Sequence, residues 1–167
     1  MQSIKQEEKI KLLGITIDQN LSWSDQINNL MKSSYSTLRA LKRFERFTPF
    51  RVRKTLAETL ILSKLNYCNA IYADIPKYMM KRLQRIQICT AGFVLRKFAK
   101  IEDVLNLNWL PMEEQISFTI SKYAHQALHC SKWPSYLPVN IVERSRQLRS
   151  DENGCTLVTG EPNTFQG

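Results

Sequence analysis

Lys11-Leu-Leu-Gly-Ile-Thr-Ile-Asp-Gln-Asn-Leu-Ser-Trp23 places a strand, a tight turn and a helix start within thirteen residues. Ile10, Leu12, Gly14 and Thr16 alternate with Lys11, Leu13, Ile15 and Ile17. Two apolar residues fall on one face and three on the other, which predicts a strand buried on much of both faces. Gly14 interrupts it, as glycine does at a bulge or where another backbone or a ligand comes close. Asp18-Gln-Asn20 brings turn chemistry. Ser22 as N-cap and Asp25 in the first turn then announce a long helix.

Working outward, apolar residues at three- and four-residue spacing predict four main helices. The first runs from Trp23 to about Phe47, with Ile27, Leu30, Met31, Tyr35, Leu38 and Leu41 as its stripe. Pro49 opens the second, Phe50 to about Leu65, with Val52, Leu56, Leu60 and Ser63 on one line and Leu62 and Leu65 widening it. Residues 66–74 read equally as a helix extension or an irregular packed segment. A third helix spans Pro76 to about Phe98; Met80, Leu83, Ile86, Ala91, Val94 and Phe98 face the core, opposite Lys81, Arg82, Arg85 and Arg96. A short helix covers Ile101–Leu107, and Trp109-Leu110-Pro111 forms an apolar plug. The last helix runs from Pro111 to about His129, with Ile116, Ile120, Tyr123, Ala124, Ala127 and Leu128 along its stripe. Beyond it, prolines, glycines and scattered polar residues predict an irregular or disordered tail.

Charge is concentrated in the middle of the chain. The net charge of 167 residues is +9, yet residues 32–100 carry sixteen Lys or Arg against Glu45, Glu58 and Asp74, a net +13. Such a block suits a polyphosphate partner, because neutralised phosphates release condensed counterions. A solvated helical surface explains the same charges. Arg39, Lys42, Arg43 and Arg46 also complement a helix C-terminus, whereas Arg51, Arg53 and Lys54 load a helix N-terminus against the dipole, a violation typical of sites. The apolar helix faces are needed for a core, and no apolar run approaches the roughly 20 residues of a bilayer span. No membrane partner is expected. Four scattered cysteines suit the reduced thiols of a cytosolic or nuclear protein. Cys68, beside Tyr67, is expected to be buried and inert.

Catalytic signatures are missing from the sequence. There is no glycine-rich phosphate loop and no nucleophile elbow. Acidic neighbours at Glu7-Glu8, Glu102-Asp103, Glu113-Glu114 and Asp151-Glu152 suit helix starts or surface positions. His125 and His129 stand four apart with Cys130 adjacent, but Gln126 occupies the place of a metalloprotease glutamate, so a solvated face is expected and no metal. Trp23, Trp109 and Trp133 sit at element boundaries and are expected to anchor the core.

The order of short motifs says more than any one of them. Leu13-Gly-Ile-Thr-Ile-Asp18, followed by Leu21-Ser-Trp23 and an amphipathic helix, resembles the segment just after the palm in LINE-type (non-LTR) retrotransposon reverse transcriptases. Leu65-Asn-Tyr-Cys68, Leu83-Gln-Arg-Ile-Gln87, Leu107-Asn-Trp-Leu-Pro111 and Trp133-Pro-Ser-Tyr-Leu137 continue it in the same order. The resemblance implies the thumb and post-thumb region: a mainly α fold, with a thumb-like bundle of four to five helices after a short N-terminal β-hairpin or strand, then an irregular C-terminal tail. Residues 1–22 would be the end of the palm and the primer grip, 23–130 the helical thumb and post-thumb, and 131–167 the tail.

By that match Leu13 and Gly14 approach a primer strand, with Lys9 and Lys11 near its phosphates. Arg39, Lys42, Arg43, Arg46, Arg51, Arg53, Lys54, Lys81, Arg82 and Arg85 would hold an RNA/DNA template–primer duplex without reading its sequence. The family's polymerases use magnesium, held by an aromatic-x-Asp-Asp motif that does not occur in this sequence. The expectation is therefore a non-catalytic fragment of an RNA-directed DNA polymerase lacking its palm and fingers. Ile10, Leu12 and Ile15 would then be partly exposed. The competing expectation is a helical protein-interaction module with no polymerase function.

Overall fold

The computed structural model describes residues 8–129 and Pro134. The chain is mainly helical after a short antiparallel hairpin. Strands β1 (Lys9–Leu12) and β2 (Ile15–Asp18) pair with Leu12 opposite Ile15 and Lys9 opposite Asp18. Leu13 and Gly14 between them have φ of 47° and 85°. Positive φ at both central residues is what a two-residue type I′ hairpin turn requires, and glycine supplies one of them without strain. Gly14 therefore marks a turn and not a bulge, and a Cβ placed on it would meet no atom of the chain within 4 Å. The expectation of a strand buried on both faces is also corrected. β1 is exposed throughout and β2 half-buried, because β2 alone packs on a helix.

Helix α1 (Ser24–Lys42) buries Ile27, Leu30 and Leu38. Its N-cap is Trp23 in the left-handed region, with no side-chain cap, rather than Ser22. Asp18 organises this corner: it accepts the Asn20 and Ser22 amides at 3.0 and 2.9 Å and the Ser22 hydroxyl at 2.5 Å. α1 also stops five residues before Phe47, giving way to a 3₁₀ turn (Glu45–Phe47). Arginines from elsewhere take the freed carbonyls. Arg96 donates to Glu45 O and Thr48 O, and Arg53 donates to Thr48 O.

α2 (Phe50–Ala57), a π turn (Glu58–Leu62) and α3 (Ser63–Asn66) form one continuous helix. Its buried face is Arg53, Ala57, Ile61, Leu62 and Leu65. The expected line through Val52, Leu56, Leu60 and Ser63 is corrected by one position: Val52, Leu60 and Ser63 are exposed. The extra residue of the π turn keeps 57, 61 and 65 on one side, a spacing of four that an α-helix would let drift. Thr55, Thr59 and Ser63 each donate to the carbonyl four residues back along the exposed side.

Residues 66–74 resolve into a turn and a 3₁₀ segment (Asn69–Tyr72) that buries Tyr72. Cys68 stands in the left-handed region and is exposed, not buried, since the turn swings it out of the apolar run. α4 (Lys77–Leu95) buries Met79, Leu83, Ile86, Thr90, Ala91, Phe93 and Val94. Phe98, expected in the core, is fully exposed because α4 ends before it, with Arg96 as a left-handed C-cap. There Lys97 donates its amide to Gly92 O at 3.3 Å, and a Cβ on Gly92 would lie 3.0 Å from Lys97 O. A side chain at 92 would push that carbonyl back by a few tenths of an ångström.

α5 (Ile101–Asn106) is the expected short helix, started by Asp103 accepting the Lys100 amide at 2.9 Å. Trp109 is buried as expected, its indole N–H donating to Glu58 Oε1 at 2.8 Å. α6 (Met112–His129) buries Met112 and Ile116, whereas Ile120 and Tyr123 along the same stripe are exposed. Gln84 Oε1 caps the start of α6 by accepting the Met112 amide at 2.8 Å. The chain clusters into two compact units, Met1–Lys122 and Tyr123–Gly167. The hairpin falls within the first of these units. The tail read over 131–167, Pro134 apart, lies outside the described residues, as do Cys130 and Trp133.

Within the first unit, α1 and α4 run parallel: Arg82 reaches Asn28 and Arg96 reaches Glu45, so residue numbers rise together along the pair. α2–α3 runs back between their ends, with Arg53 at Val94 and Lys64 at Ser33.

Candidate nucleic-acid interface

The parallel seam of α1 and α4 gathers several of the expected cations. Lys32 and Arg39 on α1 and Arg43 at its C-cap fall at i, i+7 and i+11, close to one line. On α4, Arg82, Arg85, Cys89 and Gly92 form another. Between them lies a groove of about 370 Å³ lined by Asn28, Lys32, Tyr35, Ser36, Arg39 and Arg82. Arg82 is half-buried and anchored, its guanidinium donating to Asn28 Oδ1 at 2.7 Å. Lys32, Arg39 and Arg85 are exposed. Tyr35 sits among them; burial first, and then Cys89 beside it, raise its hydroxyl pKa, while Arg85 and Arg82 oppose. A phenol held in its neutral form thus stands among cations. Such a groove can accept phosphate oxygens by charge-assisted bonds without selecting a base.

The other expected residues scatter. Lys42 lines the continuation of the seam, a groove of about 420 Å³ with Cys89, Gly92, Arg96, Lys97 and Phe98. Arg43, Arg46 and Arg51 are exposed around the turn that joins α1 to α2. Lys54 is half-buried and lies 3.9 Å from Glu58. Lys81 lines a separate groove with Glu113 and Ile116. Arg53 is removed from any phosphate-facing set. It is only 6% exposed, and its Nε donates to Val94 O at 3.0 Å. Burial first, and then the Arg96 charge, lower its pKa.

At the hairpin, Lys9 is committed to Asp25 at 2.5 Å, and that bond raises its pKa. Lys11 and Gly14 line a fourth groove, about 640 Å³, with Gln26, Asn29, Ser33, Lys64 and Tyr67. Leu13 is exposed, but its carbonyl is occupied by the Tyr67 hydroxyl at 2.9 Å. Sequence reasoning missed Lys32, Lys64 and Tyr67. Lys32 was legible from its spacing to Arg39; Lys64 and Tyr67 required knowing that α3 ends against the hairpin.

Among the described residues, no group of three His, Cys, Asp or Glu side chains could hold a metal ion. The His125 and His129 rings approach to 4.5 Å on α6. No described helix is long and apolar enough to cross a membrane. Comparison with protein-family models, with curated proteins and with solved structures returns no match.

Proposed function

We propose that this chain holds a template–primer duplex of RNA and DNA as the thumb region of a retrotransposon-type RNA-directed DNA polymerase, with polymerisation carried out by residues outside this sequence. The observation that carries the reading is the α1–α4 seam, where Lys32, Arg39, Arg82 and Arg85 surround Tyr35. The motif order from Leu13 to Leu137 supports the family assignment. The intact enzyme would take magnesium through aspartates that this sequence lacks.

The test is fluorescence anisotropy of the purified chain with a short RNA–DNA hybrid over a range of salt. Arg39→Ala, Arg82→Ala and Arg85→Ala together are expected to weaken binding about tenfold or more, alike for different sequences. The log–log salt slope should flatten by about 2–3. Unchanged affinity and slope would remove the seam as an interface and leave the helical protein-interaction module as the better reading.

A further inference from the structure

Where α1 gives way to α2, the chain reads Arg43-Phe-Glu-Arg-Phe-Thr-Pro-Phe-Arg51. Phe44 is 65% exposed and Phe47 85% exposed, and Phe50 is also open to solvent. Phe98, just past α4, is 103% exposed. Two arginines hold these segments together. Arg96 donates to Glu45 O and Thr48 O, while Arg53 bridges Thr48 O and Val94 O. Lys42, Glu45 and Phe98 line one groove across the junction. One corner therefore presents four open phenylalanine rings.

Core packing does not account for these rings, and an open aromatic cluster of this kind marks an interaction site. The charge around it is one-sided. Arg43, Arg46 and Arg51 are exposed and alternate with the rings, and Glu45 is the sole acid in that stretch. We infer that this corner binds single-stranded nucleic acid, bases stacking on Phe44, Phe47 and Phe98 and phosphates meeting Arg43, Arg46 and Arg51. Stacking tolerates any base, because every base has a π face, and guanidinium groups follow the backbone. An anionic lipid surface fits less well. The rings sit on a turn and at helix ends, not along one face of an amphipathic helix that could lie in a bilayer interface.

The inference stands apart from the duplex reading, since it uses the corner and not the seam. Its test uses the full chain with two labelled ligands, a short oligouridylate and an RNA–DNA hybrid. Phe44→Ser, Phe47→Ser and Phe98→Ser together remove open rings only, so the far-ultraviolet circular dichroism is expected to stay unchanged. Affinity for oligouridylate should fall about tenfold or more, with hybrid affinity changed less than about twofold. The seam variant should show the reverse pattern, so either proposal can fail without the other. The inference is overturned if wild type does not bind oligouridylate, or if the phenylalanine variant binds it equally well. It is also overturned if both ligands are lost alike, or if the variant loses only binding to phosphatidylserine vesicles or only self-association.

Discussion

Arg53 carries a charge into the core of a strongly basic chain. Its guanidinium bonds Val94 O, 41 residues along the chain in the last turn of α4, and the carbonyl before Pro49, locking the start of α2 to the end of α4. Removing it leaves buried carbonyls short of a donor and opens a void. Arg53→Ala is expected to lower unfolding stability by about 2–3 kcal/mol, while Arg51→Ala, two positions away and exposed, changes it by less than about 0.5 kcal/mol. Urea denaturation of the two variants checks the contrast. The sequence could not separate these arginines. Residue type assigns both to a solvent face, and only the position of Val94 makes Arg53 an interior donor. Phe98 failed in the opposite direction, because its apolar spacing continues α4 past the point where Gly92 and Arg96 end it.

At the scale of elements, the long helices were legible because amphipathic spacing survives without tertiary context, and α5 was legible from Glu102 and Asp103. The π turn was not, since one inserted residue leaves no compositional mark. The α5 start has a pH consequence. The Lys97 side chain at 2.6 Å, and then the Lys100 amide, hold the Asp103 pKa below its usual 3.8. A carboxylate depressed in the folded state stabilises above the unfolded value and loses that contribution as pH falls through the folded one. Asp18 is shifted the same way, by Ser22 first. Thermal stability is therefore expected to fall in acid below about pH 4, and Asp103→Asn to flatten that dependence. A variant with the wild-type acid profile would contradict the assigned role of the cap.

Across the molecule, protection should be uneven. β1 contributes nothing to the core, whereas α4 packs against α1, α2 and α5. Hydrogen exchange should find the amides of Lys9–Leu12 opening about a hundredfold or more faster than those of Leu83–Val94. Equal protection would mean that the hairpin unfolds only with the core. By itself, the sequence determined a mainly helical chain and a basic middle, since periodicity and charge are local properties. Tertiary structure decided which cations share a surface. The parallel packing of α1 and α4 joins Arg39 to Arg82, α4 and α6 share a groove between Lys81 and Glu113, and α2 buries Arg53 against the end of α4, because helix pairing sets distances between residues that spacing along the chain leaves open.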